Sequence, residues 1–105
     1  MEKVIFKKEV LDYFDELVYV LFEKDYFSYI ENAKRYVGEI IDFITVEIAN
    51  FPHKTSPSNL NYLGKNYIFY KSNNRTTWFI FFEKQNDKYL ITSIINNHCK
   101  EVNDL

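Results

Sequence analysis

At 105 residues, 47% of them apolar and 19% aromatic, the chain is long enough for one hydrophobic core and too apolar for a disordered segment. Its formal net charge of −2 argues against a uniformly basic nucleic-acid binder. No apolar run approaches the roughly 20 residues needed to cross a bilayer, which excludes a membrane-spanning helix. The opening MEKVIFKKEV holds an apolar run of only three residues before charge returns, unlike a secretory signal. The single cysteine, Cys99, cannot close an internal disulfide, and there is no second thiol to suggest a metal cluster. The expected compartment is therefore the reducing cytoplasm, with no metal and no cofactor.

Charge is unevenly distributed. Residues 1–51 hold six bases and eleven acids, 6 − 11 = −5, whereas residues 52–105 hold seven bases and four acids, 7 − 4 = +3. An acidic half and a basic half can be no more than solvated surface. They also describe a polarised molecule whose second half faces an anion.

In chain order, Lys3 to Phe6 reads as a short first strand at a sheet edge or beside later strands. From Lys7 the period changes: Val10, Phe14, Leu17 and Leu21 form one helical stripe, widened by Leu11, Val18 and Phe22. This helix is expected to end near Lys24 to Phe27. Ser28-Tyr29-Ile30-Glu31 fits a capping box. After it Ile30, Ala33, Val37, Ile40, Ile41, Ile44 and Ile48 fall at helical spacing. Gly38 costs this helix roughly 1 kcal/mol in propensity relative to alanine, for which close helix approach is the expected reason. The two helices read as an αα-hairpin.

Phe51-Pro52 stops the second helix, because proline lacks the backbone donor. Residues 52–66 read as a polar loop, long enough to be functional or mobile. Three strands follow, about Asn66 to Lys71, Thr76 to Lys84 and Lys88 to Ile95. Their turns, Ser72-Asn73-Asn74 and Gln85-Asn86-Asp87, are rich in residues that tolerate a left-handed backbone. Alternation puts Trp78, Ile80 and Phe82 on one face and Thr77, Phe79 and Phe81 on the other. The middle strand is thus expected to be central, with helices over one face and aromatic surface left on the other. The fold class is α+β: a short N-terminal strand, an αα-hairpin and a three-stranded antiparallel meander, in a single domain.

That order of elements resembles the RelE/ParE superfamily of type II (plasmid stabilisation) toxins, over nearly the whole chain. The most specific part is LGKNYIFYKSNNRTTW, residues 63–78. It is similar to the family's leucine and glycine, tyrosine-led strand, short turn, and arginine three residues before an aromatic. Tyr67, Arg75 and Trp78 fall on those positions, and Ile94-Ile95-Asn96-Asn97-His98 looks like the last strand of members that finish on a histidine.

The resemblance implies a toxin silenced by a cognate antitoxin protein, without membrane attachment. Some members cut mRNA on the ribosome without a metal, and others inhibit DNA gyrase without cutting RNA. Cleavage by the RNA's own 2′-hydroxyl needs a proton acceptor, cations for the charged phosphorane and a proton source for the leaving 5′-oxygen. The candidates are His98 for proton transfer, a residue type with an ordinary pKa near 6.5, and Arg75 for phosphate charge. Lys65 and Lys71 would hold the RNA backbone, and Tyr67 or Tyr70 would stack a base or donate a proton. Ile68 and Tyr70 stand where nuclease members often carry basic residues, and no arginine follows His98. The alternatives are therefore a non-enzymatic gyrase inhibitor and a diverged partner-binding domain without toxicity.

Simpler roles exist for the same residues. His98 can be a strand-end histidine bonded to water or backbone, and Arg75 a turn residue whose stem covers Trp78. His53, after Pro52, reads as surface, and two isolated histidines are weak metal ligands. Cys99 and His98, as strand neighbours, point to opposite faces and make a poor thiol–imidazole pair.

Overall fold

A computed structural model describes residues 3–24 and 26–105. Strand β1 (Lys3–Phe6) leads into helix α1 (Lys8–Glu23) and helix α2 (Ile30–Glu47). Strand β2 (Lys54–Thr55), a single-turn 3₁₀ helix (Ser58–Leu60), strands β3 (Asn66–Lys71), β4 (Thr77–Gln85) and β5 (Lys88–Asn96), and a C-terminal 3₁₀ helix (Lys100–Asp104) follow. The class is α+β. The meander β3-β4-β5 lies inside a larger mixed sheet of five strands, ordered β1-β5-β4-β3-β2.

Both additions to the meander are edges. β1 pairs in parallel with β5, Lys3 opposite Lys88 and Phe6 opposite Ile91. β2 pairs antiparallel with β3 through only Lys54–Tyr67 and Thr55–Asn66. The segment 52–66 is therefore not one open loop. It carries an edge strand and a helical turn, and Ser56 N–H continues the pairing by donating to Lys65 O at 2.9 Å.

The helical stripes bury as their spacing dictates. Val10, Phe14 and Leu17 of α1 and Ala33, Val37, Ile40 and Ile44 of α2 are buried. All of these except Ala33 pack on the Trp78, Ile80 and Phe82 face of β4, together with Ile68, Tyr89, Ile91 and Ile94. Leu11 and Phe22 stay exposed, so the stripe of α1 is narrower than its composition suggests. Two local expectations fail at α2. Tyr29, not Ser28, is the N-cap, and no side chain caps the helix. No atom outside the helix backbone lies within 4 Å of the Cβ position at Gly38, so close approach is not its reason. Asp25, where the helix connection was expected to begin, lies outside the described residues.

The opposite face of the sheet is partly covered. Phe81 is fully buried there and Tyr67 nearly so. Gly64 brings the preceding loop against it: a Cβ at this position would meet Thr92 Oγ1 at 2.6 Å, Phe82 N at 2.9 Å and Phe81 Cβ at 3.0 Å. Thr92 donates its hydroxyl proton to Leu63 O and sits where the β4–β5 register shifts, Phe81 facing Ser93 and Phe82 facing Ile91. The bulge thus aims one side chain at the loop that the glycine lets close in.

Candidate functional site at the arginine end of the sheet

Two asparagines organise the β3–β4 turn. Asn73 Oδ1 accepts from Arg75 N–H at 2.8 Å and Thr76 N–H at 2.9 Å, an Asx turn of the kind short amide side chains form. Asn97, just past β5, donates from Nδ2 to Arg75 O at 3.0 Å and accepts at Oδ1 from Thr77 N–H at 3.0 Å. Its own N–H donates to Thr77 O at 3.0 Å. Arg75 is therefore pinned at both backbone ends while its side chain stays exposed. No residue of this turn adopts a positive φ; the left-handed conformation appears in the other turn, at Asn86 with φ 58°.

The same clip ties the segment that carries His98 to the backbone of the Arg75 turn. His98 follows Asn97 and its N–H donates to Asn96 Oδ1 at 2.9 Å. Its ring is exposed at the mouth of a cleft of about 570 Å³ between the two helices and the sheet end. Tyr13 of α1, Tyr36 of α2, and Trp78 and Asn96 of the sheet line this cleft. Trp78 and Asn96 are direct cross-strand partners. Trp78 Nε1–H donates to Tyr36 Oη at 2.9 Å, and Tyr36 Oη shares a 2.7 Å hydrogen bond with Ser72 Oγ. Burial, reinforced by Cys99 and Tyr36, pushes the Tyr13 phenol above its ordinary pKa. Its ring meets Trp78 edge-on at 6.4 Å.

Behind the same sheet end lies a shallower groove of about 370 Å³. Its floor includes Tyr67, Phe69 and Phe79, its wall Val102 and Leu105, and Lys54 and Lys71 border it. Asn59 ties the C-terminal turn down by donating to Asp104 Oδ2 at 2.8 Å.

The remaining sequence candidates divide between these surfaces. Lys71 ends β3 beside the Arg75 turn, opposite Thr77. Tyr67 belongs to the groove, on the face away from the helices. Tyr70 faces the helices, stacked on Phe43 with centroids 4.6 Å apart; burial, with Glu39 and Tyr36 adding to it, raises its pKa. Lys65 lies beyond the far end of β3, roughly 20 Å of strand from Arg75 at ordinary rise, and its N–H donates to Glu83 Oε2 at 2.7 Å. Arg75, Lys71 and His98 thus lie at one end of the sheet, with Lys71 on the groove face and His98 on the cleft face; Tyr67 and Tyr70 lie on opposite faces, and Lys65 is apart.

His53 is exposed, as its place after Pro52 suggests, but its ring is tied to the fold. Its Nε2 hydrogen-bonds Ile48 O at the end of α2, and its ring meets Phe82 edge-on at 4.8 Å. No group of three or more His, Cys, Asp or Glu that could hold a metal occurs among the described residues. No helix among them is long and apolar enough to cross a membrane. Tyr13, Tyr36 and Asn96 are the cleft residues that sequence reasoning overlooked. The available signal was a tyrosine beside each apolar stripe, since a half-buried phenol needs a polar partner. Compared with known proteins, the chain matches no family model, no curated protein and no solved structure.

Proposed function

We propose that this chain is the toxin of a type II toxin–antitoxin pair, similar in plan to the RelE/ParE superfamily, and that it cuts mRNA at the ribosome without a metal. The observation that carries the reading is the Asn97 clip, which joins the Arg75 turn to the segment bearing His98. Two exposed groups of the right chemistry are then carried on one end of the sheet, His98 lining the aromatic cleft on the helix side and Lys71 lining the groove on the other face. In the proposed step a 2′-oxygen forms a bond to the adjacent phosphorus while the bond from phosphorus to the 5′-oxygen breaks. His98 takes the 2′-hydroxyl proton as the attack begins or supplies one to the departing 5′-oxygen. The Arg75 fork stabilises the extra negative charge on the phosphorane. A cognate antitoxin would silence the protein by covering this end of the sheet.

A second reading, a toxin that inhibits DNA gyrase by binding or a partner-binding domain without toxicity, is favoured by β3 itself. Ile68 is fully buried and Tyr70 stacks on Phe43. The sheet-groove face therefore offers RNA only Lys71 from this strand, beside Tyr67 and Phe69. Phosphate contacts supply much of nucleic-acid affinity.

The test is induced expression followed by mRNA integrity in translating ribosomes, with Arg75→Ala and His98→Ala alongside. Both side chains are exposed, so each substitution should cost under about 0.5 kcal/mol of stability and still abolish cleavage and growth arrest. Growth arrest with intact mRNA, inhibited supercoiling and indifference to His98→Ala would establish the gyrase reading instead. Harmless overexpression of folded protein would leave only the partner-binding domain.

A further inference from the structure

We propose that the cleft between the helices and the sheet end is a binding site for a nucleobase. The inference rests on the RNA reading for its choice of ligand class and on the cleft itself for its chemistry. At about 570 Å³ the cleft lies within the range of small-molecule sites. Trp78 is nearly buried, so the half-buried rings of Tyr13 and Tyr36 supply the accessible aromatic surface. The Trp78–Tyr36 wall is already satisfied: Trp78 Nε1–H donates to Tyr36 Oη, which bonds Ser72 Oγ.

The amides of Asn73 and Asn96 are the reverse. Asn73 Oδ1 accepts two backbone N–H groups and Asn96 Oδ1 accepts His98 N–H. Backbone N–H groups can only donate, so both carbonyl ends are committed and both NH₂ ends are left as oriented donors. Neither Nδ2, nor Tyr13 Oη, has a hydrogen-bond partner among the described residues, and all three residues line the cleft. Burial keeps the Tyr13 phenol protonated, so it is a third neutral hydrogen-bonding group.

A ligand that fits is therefore flat and aromatic, to lie against Tyr13 and Tyr36 in front of the buried Trp78, and carries edge acceptors for two amide donors. A purely apolar ring would desolvate three polar groups without pairing them. A nucleobase presents ring faces and an edge of carbonyl or ring-nitrogen acceptors together. With the base inside, its sugar and phosphate would leave past the exposed His98, which lines the cleft.

Trp78 is the chain's single tryptophan and part of the wall, so it reports occupancy directly. The experiment titrates the protein with the four ribonucleoside 3′-monophosphates, and with ribose 5-phosphate as a base-free control, following Trp78 fluorescence. At least one nucleotide should give a saturable change at about 1 mM or tighter, the affinity expected of a single stacked and hydrogen-bonded base, and ribose 5-phosphate none. Asn96→Asp keeps the acceptor for His98 N–H and removes the donor, so it should weaken binding roughly three- to tenfold at unchanged thermal stability. Saturable binding without RNA cleavage supports the cleft and sinks the endonuclease. Cleavage without any nucleotide titration, an equal response to ribose 5-phosphate, or indifference to both Asn96→Asp and Tyr13→Phe overturns the cleft alone.

Discussion

Gly64→Ala tests the junction between the long loop and the sheet. The added Cβ would sit 2.6 Å from Thr92 Oγ1 and 2.9 Å from Phe82 N. Phe82 N belongs to the backbone of a central strand and cannot retreat without disturbing both neighbours. Only Thr92 can yield, and in yielding it loses its hydrogen bond to Leu63 O. Overpacking of this kind costs about 1–3 kcal/mol and the lost hydrogen bond about 1 kcal/mol, together about 2–4 kcal/mol. For a domain near this size that lowers Tm by roughly 10–20 °C. The assay is urea unfolding followed by Trp78 fluorescence, which should show a lower midpoint with an unchanged slope. Adding Thr92→Ala removes the nearer clash and leaves the backbone one, so the double variant should recover only part of the loss. A single variant within about 0.5 kcal/mol of the parent, or full recovery in the double, would refute the claim that the backbone of β4 sets the limit.

Tyr36→Phe removes the acceptor for Trp78 Nε1–H while leaving that nearly buried donor in place. It should cost about 1–3 kcal/mol in the same unfolding assay, more than Ser72→Ala, which leaves the Trp78 bond intact; a neutral Tyr36→Phe would contradict it. At alkaline pH, Tyr13 and Tyr70 have folded-state pKa values above the unfolded value near 10. Their stabilisation is fully present below about pH 10 and lost as pH rises through the folded-state values. Stability measured from pH 8 to 11 should fall only above about 10, less steeply in Tyr13→Phe, and a fall beginning near neutrality would contradict the assignment.

Periodicity located the three meander strands to within a residue and the apolar stripes of both helices, because each buries one continuous stripe or face; α2 itself stops at Glu47, short of the Phe51-Pro52 stop. Periodicity did not find β2, since Lys54 and Thr55 carry no apolar pattern and pair only through their backbone. The Ser28 capping box satisfied the residue types of the motif, but the helix begins one turn-position later and leaves Ser28 outside it. The reading of Gly38 failed for a related reason: one residue type serves several needs, and only the neighbours decide which. At the site, strand parity alone separates Tyr67 from Tyr70, odd from even. The joining of the Arg75 turn to the segment bearing His98 depends on the β4–β5 register, shifted once at the bulge, and on an amide bridging residues 22 positions apart, which no local pattern encodes. Tyr13 and Tyr36 lie beside apolar stripes, where spacing alone does not distinguish a core ring from a cleft wall.

The parallel pairing of β1 with β5 governs the order in which the molecule can be finished. Lys3 N–H donates to Asp87 O at 2.8 Å and Lys7 N–H to Ile91 O at 3.0 Å, so β1, synthesised before the other strands, has its seat on β5. During translation the two helices and the first hairpin can form while the leading strand waits without a partner. A nascent chain stopped before Lys88 has nothing in position to receive β1. In the finished protein the same strand closes the longest loop with only four residues, so its amides, with those of the two-residue edge β2, should exchange with solvent ahead of β3, β4 and β5. Synthesis seals the sheet at β1, and unfolding should open it from its edges.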